Sequence, residues 1–330
     1  MKEEIGPLPV VRAAEIDEQP PRERWLIRPL WGKASVGIVG GPPKSCKTWL
    51  ALDMALSVAS ATPCLGRFEV EDPGPALVYL AEDDLSMVRS RIECLCRHRR
   101  LDIRSLDLHV ITEPSLRLDL SRDQNRLAST LHRLLPRLLL LDPLIRLHRL
   151  DENSATEISG LLSFFRELQR RFACAVLLVH HTSKRRHPNP GQSLRGSSDL
   201  HAFGDSNAYL ERREQRLVMT IEHRAARTPD AMVLQLVSDP EEAVHLELEE
   251  LGEEAFLPAP SSLAESVLRL LAESTAPLSG VEIRRRLRVN NRRLGRTLRD
   301  LDRRGEIERN GNGWGIPPVE SMEGRRLLFG

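Results

Sequence analysis

The chain has 330 residues, enough for one large domain with a small one or for two medium domains. Apolar residues make up 41% and charged residues 29%, which indicates a soluble globular protein. The formal net charge is only +1, so any nucleic-acid surface has to be a local patch. No run approaches about 18 apolar residues and the charged N-terminus is unlike a signal peptide, so we expect neither a membrane span nor secretion.

The five cysteines are odd in number and scattered along the chain. This pattern favours reduced thiols and a cytoplasmic location over a disulfide framework. Cys94 and Cys96 are two residues apart on a predicted helix and face different directions. With no matching Cys/His pair beside them, they do not suggest a zinc site.

The first 31 residues divide into a polar part and an apolar part. Residues 1–24 contain several prolines, and we interpret them as an arm or linker with little structure of its own. Residues 25–31 form an apolar patch with a tryptophan at each end. The patch could cap the core domain, lie near a nucleotide base or pack on a neighbouring subunit, although core packing is its more common use.

Residues 36–56 predict a short buried strand, a glycine-rich turn and a helix, in the order typical of a phosphate-binding loop. Such a loop directs backbone N–H groups and the positive end of the helix at an anion. Lys47 would reach the β- and γ-phosphates of ATP, and Thr48 would hold Mg²⁺ through its hydroxyl. An ordinary turn before a helix is the alternative. The predicted ATP-binding residues are Gly41, Pro42, Pro43, Lys44, Ser45, Cys46, Lys47, Thr48 and Trp49.

One position departs from the G-x-x-x-x-G-K-[ST] pattern, because Cys46 stands where the second glycine belongs. If that position needs a positive φ, a side chain there costs roughly 1–3 kcal/mol. Pro42 and Pro43 fix two φ angles at the entry of the loop. We therefore expect a shifted loop in which Cys46 has an ordinary negative φ. The alternative is a strained Cys46 that weakens nucleotide binding.

Strands and helices alternate after this loop. Strands are predicted at residues 76–80, 106–111, 137–142 and 173–179, and helices at 85–99, 121–134 (with Ser121 as the cap) and 157–172. The alternation predicts a doubly wound α/β fold with a mostly parallel sheet. The carboxyl ends of parallel strands meet at one edge of the sheet, so the polar residues that follow them should lie together. These residues are Lys47, Thr48, Glu82, Asp142 and His181.

Two acidic positions have both a chemical and a structural interpretation. Among the acids at residues 82–84, Glu82 is the candidate for chemistry, while Asp83 or Asp84 could only cap the next helix. Asp142 ends a continuous apolar run and would face the Mg²⁺ of the phosphate loop, usually through water. It could instead be an ordinary turn residue at the end of a strand.

Residues 184–198 are basic and rich in glycine, proline and serine, which predicts a surface loop. The loop is either merely solvated or contacts a phosphate backbone or a partner, and its candidate DNA-binding residues are Lys184, Arg185, Arg186 and Arg195. Residues 208–212, 217–222 and 232–237 predict antiparallel strands. Together with the preceding elements they define a core domain over residues 25–250.

A linker over residues 251–262 leads to a small basic domain at residues 263–317, followed by a tail at 318–330. Helices at 263–272, 280–287 and 290–304 and a hairpin at 306–316 predict a winged helix-turn-helix. The third helix has a leucine stripe and, on its other side, an arginine stripe that suits phosphates and guanine edges. A solvated face on a protein–protein module is the alternative. The candidate DNA-binding residues are Arg292, Arg293, Arg296 and Arg299, and Arg303 extends the stripe.

Several motifs of residues 25–237 occur together in one known family. They are Gly-Pro-Pro-Lys-Ser-Cys-Lys-Thr-Trp-Leu-Ala-Leu-Asp, then Val-Tyr-Leu-Ala-Glu-Asp with Arg91 further on, Leu-Leu-Leu-Leu-Asp-Pro-Leu, an Asn153-containing loop, Leu-Leu-Val-His-His-Thr-Ser-Lys and Arg-Gly-Ser-Ser. In this order they resemble the RecA-like hexameric ATPases, most closely the RepA-type replicative helicases, which are single-core relatives of the DnaB helicases. The resemblance covers about two thirds of the chain, and it implies a RecA-like fold.

The resemblance also implies roles for individual residues. Glu82 would be the general base that activates water, with Lys47 on the phosphates and Thr48 and Asp142 at Mg²⁺. His181 would sense the γ-phosphate and couple it to DNA-binding loops. Arg224 would be the arginine finger that reaches a neighbour's ATP, with Arg227 as the alternative.

These inferences predict a cytoplasmic, ATP- and Mg²⁺-dependent ATPase that assembles as a homo-oligomeric ring, expected to be a hexamer. It would act on DNA, single-stranded within the ring and duplex at the winged helix. The competing prediction is a weakly catalytic or non-catalytic DNA-binding regulator, in which Cys46 has weakened turnover and the winged helix carries the function.

Overall fold

The computed structural model describes residues 10–15, 24–152, 154–182, 198–213, 216–238, 244–249, 263–272, 274, 276–287, 289–311 and 313–317. Contacts divide the chain into two compact units, residues 1–250 and 251–330. Across the described ranges, no helix has both the length and the apolar character that crossing a membrane requires. The five cysteines are free thiols, as the scattered pattern predicted.

The first unit is built on a large sheet with a small two-stranded sheet beside it. The strands are β1 (Trp25–Ile27), β2 (Trp31–Gly32), β3 (Val36–Gly41), β4 (Ala76–Leu80), β5 (Leu108–Val110), β6 (Leu138–Asp142), β7 (Ala175–His181), β8 (Ser206–Arg213), β9 (Arg216–His223), β10 (Met232–Ser238) and β11 (Val244–Leu248). The large sheet has the order β11-β10-β9-β8-β3-β7-β6-β4-β5. Strands β3 to β8 are mutually parallel, and β9, β10 and β11 extend the sheet in antiparallel pairing.

Helices cover both faces of the large sheet: α1 (Lys47–Ser60), α2 (Leu85–Arg99), α3 (Ser121–Leu134), α4 (Ala155–Phe172) and α5 (Ser198–Phe203). Strand β6 shows why two layers of helices are needed. Leu138 and Leu140 belong to the core beneath α1 and α2, whereas Leu139 and Leu141 belong to the core beneath α3 and α4. Successive residues of a strand point to opposite faces, so a strand in which every residue is buried requires cover on both faces. The predicted doubly wound α/β fold with a mostly parallel sheet is confirmed.

Several local predictions need correction. The cap of α3 is Leu120 rather than Ser121, which is the first helical residue. Strand β7 begins at Ala175, because Ala173 ends α4 in the left-handed conformation. Strand β8 pairs parallel to β3 as well as antiparallel to β9, and β11 was not predicted at all.

The apolar patch at residues 25–31 packs into the core, as its more common use predicted. Leu26, Ile27, Leu30 and Trp31 are each no more than 1% exposed. Among residues 1–24 the structure describes 10–15 and 24, and Ala13–Glu15 form a single 3-10 turn.

The second unit contains α6 (Leu263–Ala272), α7 (Gly280–Leu287), α8 (Asn291–Arg303) and a hairpin of β12 (Glu308–Asn310) and β13 (Gly313–Gly315). These elements follow the predicted order of three helices and a hairpin. Their core includes Val267, Ile283, Leu294, Leu298 and Leu301. The leucine stripe of α8 therefore faces inward, and the exposed side of this helix is basic. The linker at 251–262 and the tail at 318–330 lie outside the described residues.

Candidate functional site

The glycine-rich loop connects the centre of the sheet to α1. Strand β3 lies between β7 and β8. Gly41 ends β3 where a side chain has no room, since an added Cβ would lie 2.5 Å from the Leu210 carbonyl oxygen and 2.6 Å from Ser45 Oγ. The close approach of β8 therefore requires glycine at this position and fixes the direction in which the loop leaves the sheet.

Two side chains of the loop donate to the same carbonyl. Ser45 Oγ and Lys47 Nζ each lie 2.8 Å from the Pro42 oxygen. Lys47 is buried, and burial is the main cause that lowers the pKa of its ammonium, while the charge of Asp142 opposes this effect. The loop thus places the buried ammonium of Lys47 at the N-terminus of α1.

The backbone at Cys46 contradicts the predicted negative φ. Cys46 is the residue before α1 and has φ 62° and ψ 21°, in the left-handed region. Lys44 also has φ 62°, so the chain turns twice through this region although the two prolines precede it. The phosphate-loop path therefore requires the conformation that glycine would supply, and Cys46 adopts it with a side chain in place.

Thr48 and Asp142 join α1 to the end of β6. Thr48 Oγ1 donates to Asp142 Oδ2 across 2.6 Å. Asp142 is 7% exposed, and burial raises the pKa of its carboxyl to about 6, although the Thr48 hydrogen bond and the Lys47 charge oppose the shift. A hydroxyl oxygen and a carboxylate oxygen are the donors that Mg²⁺ prefers, so this pair fits the predicted metal.

The acids that follow β4 separate into three structural roles. Glu82 forms an ion pair with Arg146, with Oε1 2.9 Å from Nε, and both side chains are well exposed. Asp83 pairs with Arg91 at 3.1 Å. Asp84 caps α2 by accepting from the Met87 backbone N–H at 2.8 Å. Capping accounts for Asp84, whereas Glu82 and Asp83 each form an ion pair.

The strand register places the predicted residues at one edge of the sheet. Leu80 of β4 lies opposite Asp142 of β6, and Gly41 of β3 lies opposite His181 of β7. Glu82 is close enough for its charge to raise the pKa values of both Lys47 and Asp142. The structure therefore brings together Lys47, Thr48, Glu82, Asp142 and His181.

Arg224 does not join this group within one chain. It directly follows β9, whose last residue His223 lies opposite Ser206 at the start of β8. Its guanidinium contacts Asp205 at 3.2 Å and the Ala202 carbonyl at 2.7 Å. Asp205 in turn accepts from the backbone N–H of Val36 at the start of β3. Arg224 therefore lies at the amino-terminal end of β3, whereas the phosphate loop follows its carboxyl end. Arg227 is exposed beyond it.

Sequence reasoning missed two arginines and a buried histidine cluster near the site. Arg146 holds Glu82, and the charge of Arg212 on β8 lowers the pKa of the Cys46 thiol against the larger effect of burial. His180 Nδ1 and His148 Nε2 lie 3.7 and 3.8 Å from Glu152 Oε1, and all three side chains are buried. Only the adjacency of His180 and His181 at a strand end could have signalled this cluster.

Trp49 at the start of α1 packs beneath Arg91, whose guanidinium carbon lies 5.7 Å from the ring centre. Arg91 also holds Asp83, so the two helices that follow β3 and β4 are joined beside the phosphate loop.

Few of the predicted DNA-binding side chains can be placed. Lys184, Arg185, Arg186 and Arg195 lie outside the described residues, as does Asn153, and the side chains of Arg292 and Arg293 are likewise not described. Arg296 and Arg299 are exposed on α8. Arg303 continues the stripe and pairs with Asp300 at 2.5 Å.

A family model for an AAA domain matches residues 2–187, which is more than half of the chain. Among curated proteins, none is significantly similar to this chain in sequence.

Three solved structures are similar to the chain at low sequence identity. The ATPase domain of G40P is 14% identical, with a TM-score of 0.50 over 66% of this chain and 86% of that chain. The RadB recombinase is 16% identical, with a TM-score of 0.49 over 66% and 92% of the two chains. A KaiC-like protein from the hyperthermophilic archaeon Pyrococcus horikoshii OT3 is 11% identical, with a TM-score of 0.46 over 68% and 93%.

The G40P ATPase domain and the phosphate-loop topology agree on the fold, which is RecA-like. The family match and the geometry of residues 41–48 agree on the class of domain. The chain belongs to the AAA domain family, and its first unit has the RecA-like P-loop fold.

Proposed function

We propose that this protein hydrolyses ATP and acts on DNA, as a RepA-type helicase or a related replication or mobile-element ATPase. The observation that carries the proposal is the 2.6 Å contact between Thr48 and Asp142, beside the buried ammonium of Lys47. Lys47 and Thr48 begin α1 whereas Asp142 ends β6, and a structural turn would not need to bring the three groups together. Their chemistry is that of a Mg²⁺–triphosphate site.

Lys47 and the backbone N–H groups at the start of α1 would bind the β- and γ-phosphates. Thr48 and Asp142 would hold Mg²⁺, which supplies charge neutralisation of the phosphates when bound. Phosphate binding would draw the Lys47 ammonium away from the Pro42 carbonyl, so the loop would exchange an internal hydrogen bond for a contact with ATP.

Glu82 would accept the proton of the attacking water as its oxygen bonds to the γ-phosphorus and the bond to the β–γ bridging oxygen breaks. Arg146 would orient the Glu82 carboxylate through their ion pair. His181 would sense the γ-phosphate, a role supported by its register position opposite Gly41.

A neighbouring subunit would complete the site. Arg224 lies at the far edge of its own sheet, so it can serve an ATP only as a finger supplied in trans, with Arg227 as the alternative. This requirement supports ATP bound between subunits of a ring, for which we propose a hexamer.

DNA binding belongs to the same proposal. The exposed Arg296 and Arg299 on α8 support duplex binding by a winged helix-turn-helix at residues 263–317, and the basic loop at residues 184–198 would contact single-stranded DNA in the ring. The five free thiols support a cytoplasmic location.

The test is ATP turnover by the purified full chain with and without single-stranded DNA. We expect Mg²⁺-dependent hydrolysis that DNA stimulates and that Lys47→Ala abolishes. Lys33→Ala is the matched control, because Lys33 is an exposed lysine paired with Asp72 at 3.4 Å outside the site. Wild-type protein that binds ATP without turnover under either condition would contradict the enzymatic proposal.

One observation favours the alternative of a weakly catalytic, nucleotide-dependent DNA-binding regulator. Cys46 has a positive φ with a side chain, in the segment that would surround the phosphates. Strain there would reduce turnover more than folding. Nucleotide-dependent DNA binding without hydrolysis would favour this function.

A further inference from the structure

We propose that His98, His245 and Glu247 form a site for a divalent transition metal, with Zn²⁺ as its natural ion. One ligand atom from each of these residues can be chosen so that all three lie within 4.8 Å of one another. The site is separate from the predicted Mg²⁺ site, whose residues lie at the start of α1 and the end of β6.

The backbone explains why these side chains meet. His245 and Glu247 are alternate residues of β11 and therefore share one face of that strand. His98 is in the last turn of α2, which packs against β11. Two ligands thus come from the sheet and one from the helix that covers it.

The three side chains already contact one another without an ion. The imidazole rings of His98 and His245 are stacked, with centroids 3.4 Å apart and planes 17° apart. His245 Nε2 lies 2.8 Å from Glu247 Oε1. Tetrahedral zinc with bonds of about 2.0–2.1 Å separates its ligand atoms by roughly 3.3 Å, so the exposed His98 ring has to rotate out of the stack until its in-plane lone pair converges with that of His245.

The position of the cluster favours a bound cation. A dication would lie at the C-terminal end of α2, where the helix dipole favours positive charge. The nearby guanidinium of Arg99 is paired with Asp53 at 2.5 Å, which offsets its repulsion of the ion.

One of the three ligands is anchored in the core, and the other two leave the site open to solvent. His245 is 2% exposed, whereas His98 and Glu247 are exposed. Two imidazoles and a carboxylate form a ligand set that zinc commonly uses, with a remaining position for water. Mg²⁺ prefers oxygen ligands and would not compete well.

The consequence of binding would be structural. Among the described strands, β11 is the last of the large sheet and has β10 as its single neighbour. A metal bound by both β11 and α2 would hold this edge strand on the core. We therefore expect zinc to raise Tm and to slow amide hydrogen exchange in β11.

The experiment titrates Zn²⁺ into chelator-treated, tag-free full chain by calorimetry, with excess Mg²⁺ present. We expect one Zn²⁺ per chain, with affinity reduced at least about tenfold by His98→Asn and by Glu247→Gln. These two substitutions are at exposed positions, so folding should survive, and each variant's circular dichroism is checked against the wild type.

His109→Asn is the matched control, because His109 is an exposed histidine paired with Asp107 at 2.7 Å. Its zinc affinity should equal that of the wild type. Cobalt substitution adds a second readout, since thiolate-to-cobalt charge transfer would place the ion on a cysteine and overturn the site. Zinc uptake that His98→Asn and Glu247→Gln leave unchanged, or no uptake by the wild type, would also overturn it.

Discussion

The Thr48 hydroxyl donates to the Asp142 carboxylate across 2.6 Å and so connects the first helix after the phosphate loop to the end of β6. The contact places a buried acid whose pKa is raised to about 6 next to the predicted Mg²⁺ ligand. The folded protein therefore binds a proton at Asp142 more tightly than the unfolded chain does. Stability and metal binding should respond to pH in opposite ways at this residue.

The first prediction concerns the stability cost of Asp142. A carboxyl whose pKa rises from 3.8 to about 6 on folding destabilises the fold as pH rises through that window. Above pH 6 the ionised Asp142 lowers the free energy of unfolding by on the order of 3 kcal/mol. At pH values well above 6, Asp142→Asn should therefore raise Tm, whereas near pH 4 it should have little effect. Tm is measured by thermal unfolding without nucleotide.

The same substitution should remove Mg²⁺-dependent ATP turnover, since an amide is a poorer ligand than a carboxylate. Asp151→Asn, at an exposed position of the loop before α4, serves as the control. A lower Tm for Asp142→Asn well above pH 6 would show that the carboxylate stabilises the folded state.

The second prediction concerns the general base. Glu82→Gln should keep ATP binding and lose hydrolysis by roughly 10²- to 10⁴-fold, because the fold and the phosphate contacts do not need this charge. Turnover and nucleotide affinity are measured in parallel. Glu93→Gln is the matched control, since Glu93 is a similarly exposed glutamate paired with Arg89.

Near-normal hydrolysis by Glu82→Gln would move the base elsewhere, with Asp83 as the next candidate. Arg146→Ala separates orientation from chemistry, because it leaves the Glu82 carboxylate in place without its partner. We expect reduced turnover with nearly unchanged ATP affinity in that variant.

The sequence predicts the edge of the sheet on which the site lies because strand ends follow from local patterns. Asp142 terminates a run of leucines, and Glu82 follows a five-residue apolar strand. A parallel sheet then places both residues beside the phosphate loop. The register of β4 with β6 and of β3 with β7 confirms this reasoning.

Other features depend on contacts between distant residues, which local patterns do not encode. Cys46 has its positive φ in a loop that begins where Gly41 lies against the Leu210 carbonyl of β8, a contact between residues far apart in sequence. Two prolines suggested a different path, and that inference was wrong. Strand β11 is a different case, because its Val-His-Leu-Glu-Leu sequence alternates apolar and polar residues and could have been predicted as a strand.

The third prediction concerns assembly. Arg224→Ala should lower turnover while leaving ATP binding by each subunit nearly intact, because Arg224 lies far from the phosphate loop of its own chain. Mixing it with Lys47→Ala subunits should restore part of the activity, since some interfaces then combine an intact loop with an intact finger.

Arg216→Ala is the matched control for this experiment, because Arg216 is an exposed arginine at the other end of β9. Full turnover by Arg224→Ala would transfer the role to Arg227. A monomer that hydrolyses ATP at full rate, independent of protein concentration, would contradict the ring.

The fourth prediction concerns DNA binding by α8. Changing Arg296 and Arg299 to alanine should weaken duplex binding at low salt and flatten the salt slope by about one unit per lost phosphate contact. Binding is measured by fluorescence anisotropy over a range of salt concentrations. The matched control replaces Arg285 and Arg286, which are engaged by Glu282 on α7 at 2.7 and 2.9 Å. Equal losses in both double variants would indicate a general charge effect, and unchanged binding would favour a protein contact.

The last prediction concerns Cys46, whose φ of 62° places a Cβ in the left-handed region. Cys46→Gly removes that strain, worth about 1–2 kcal/mol, but gives the unfolded chain more freedom, which offsets about 0.4–1 kcal/mol. Cys46→Ala removes the thiol and keeps the Cβ, so it is the matched control. We therefore expect the glycine variant to have a Tm equal to or slightly above that of the wild type, and the alanine variant not to exceed it.

Nucleotide affinity distinguishes the two proposed functions through the same pair of variants. We expect Cys46→Gly to change ATP affinity by less than about tenfold, or 1.4 kcal/mol, because the native loop already follows the glycine-type path. A gain well above tenfold with glycine but not with alanine would show that the Cβ of Cys46 limits phosphate binding. The weakly catalytic regulator would then be the better account of this chain, because the loop would bind ATP well only without its native side chain.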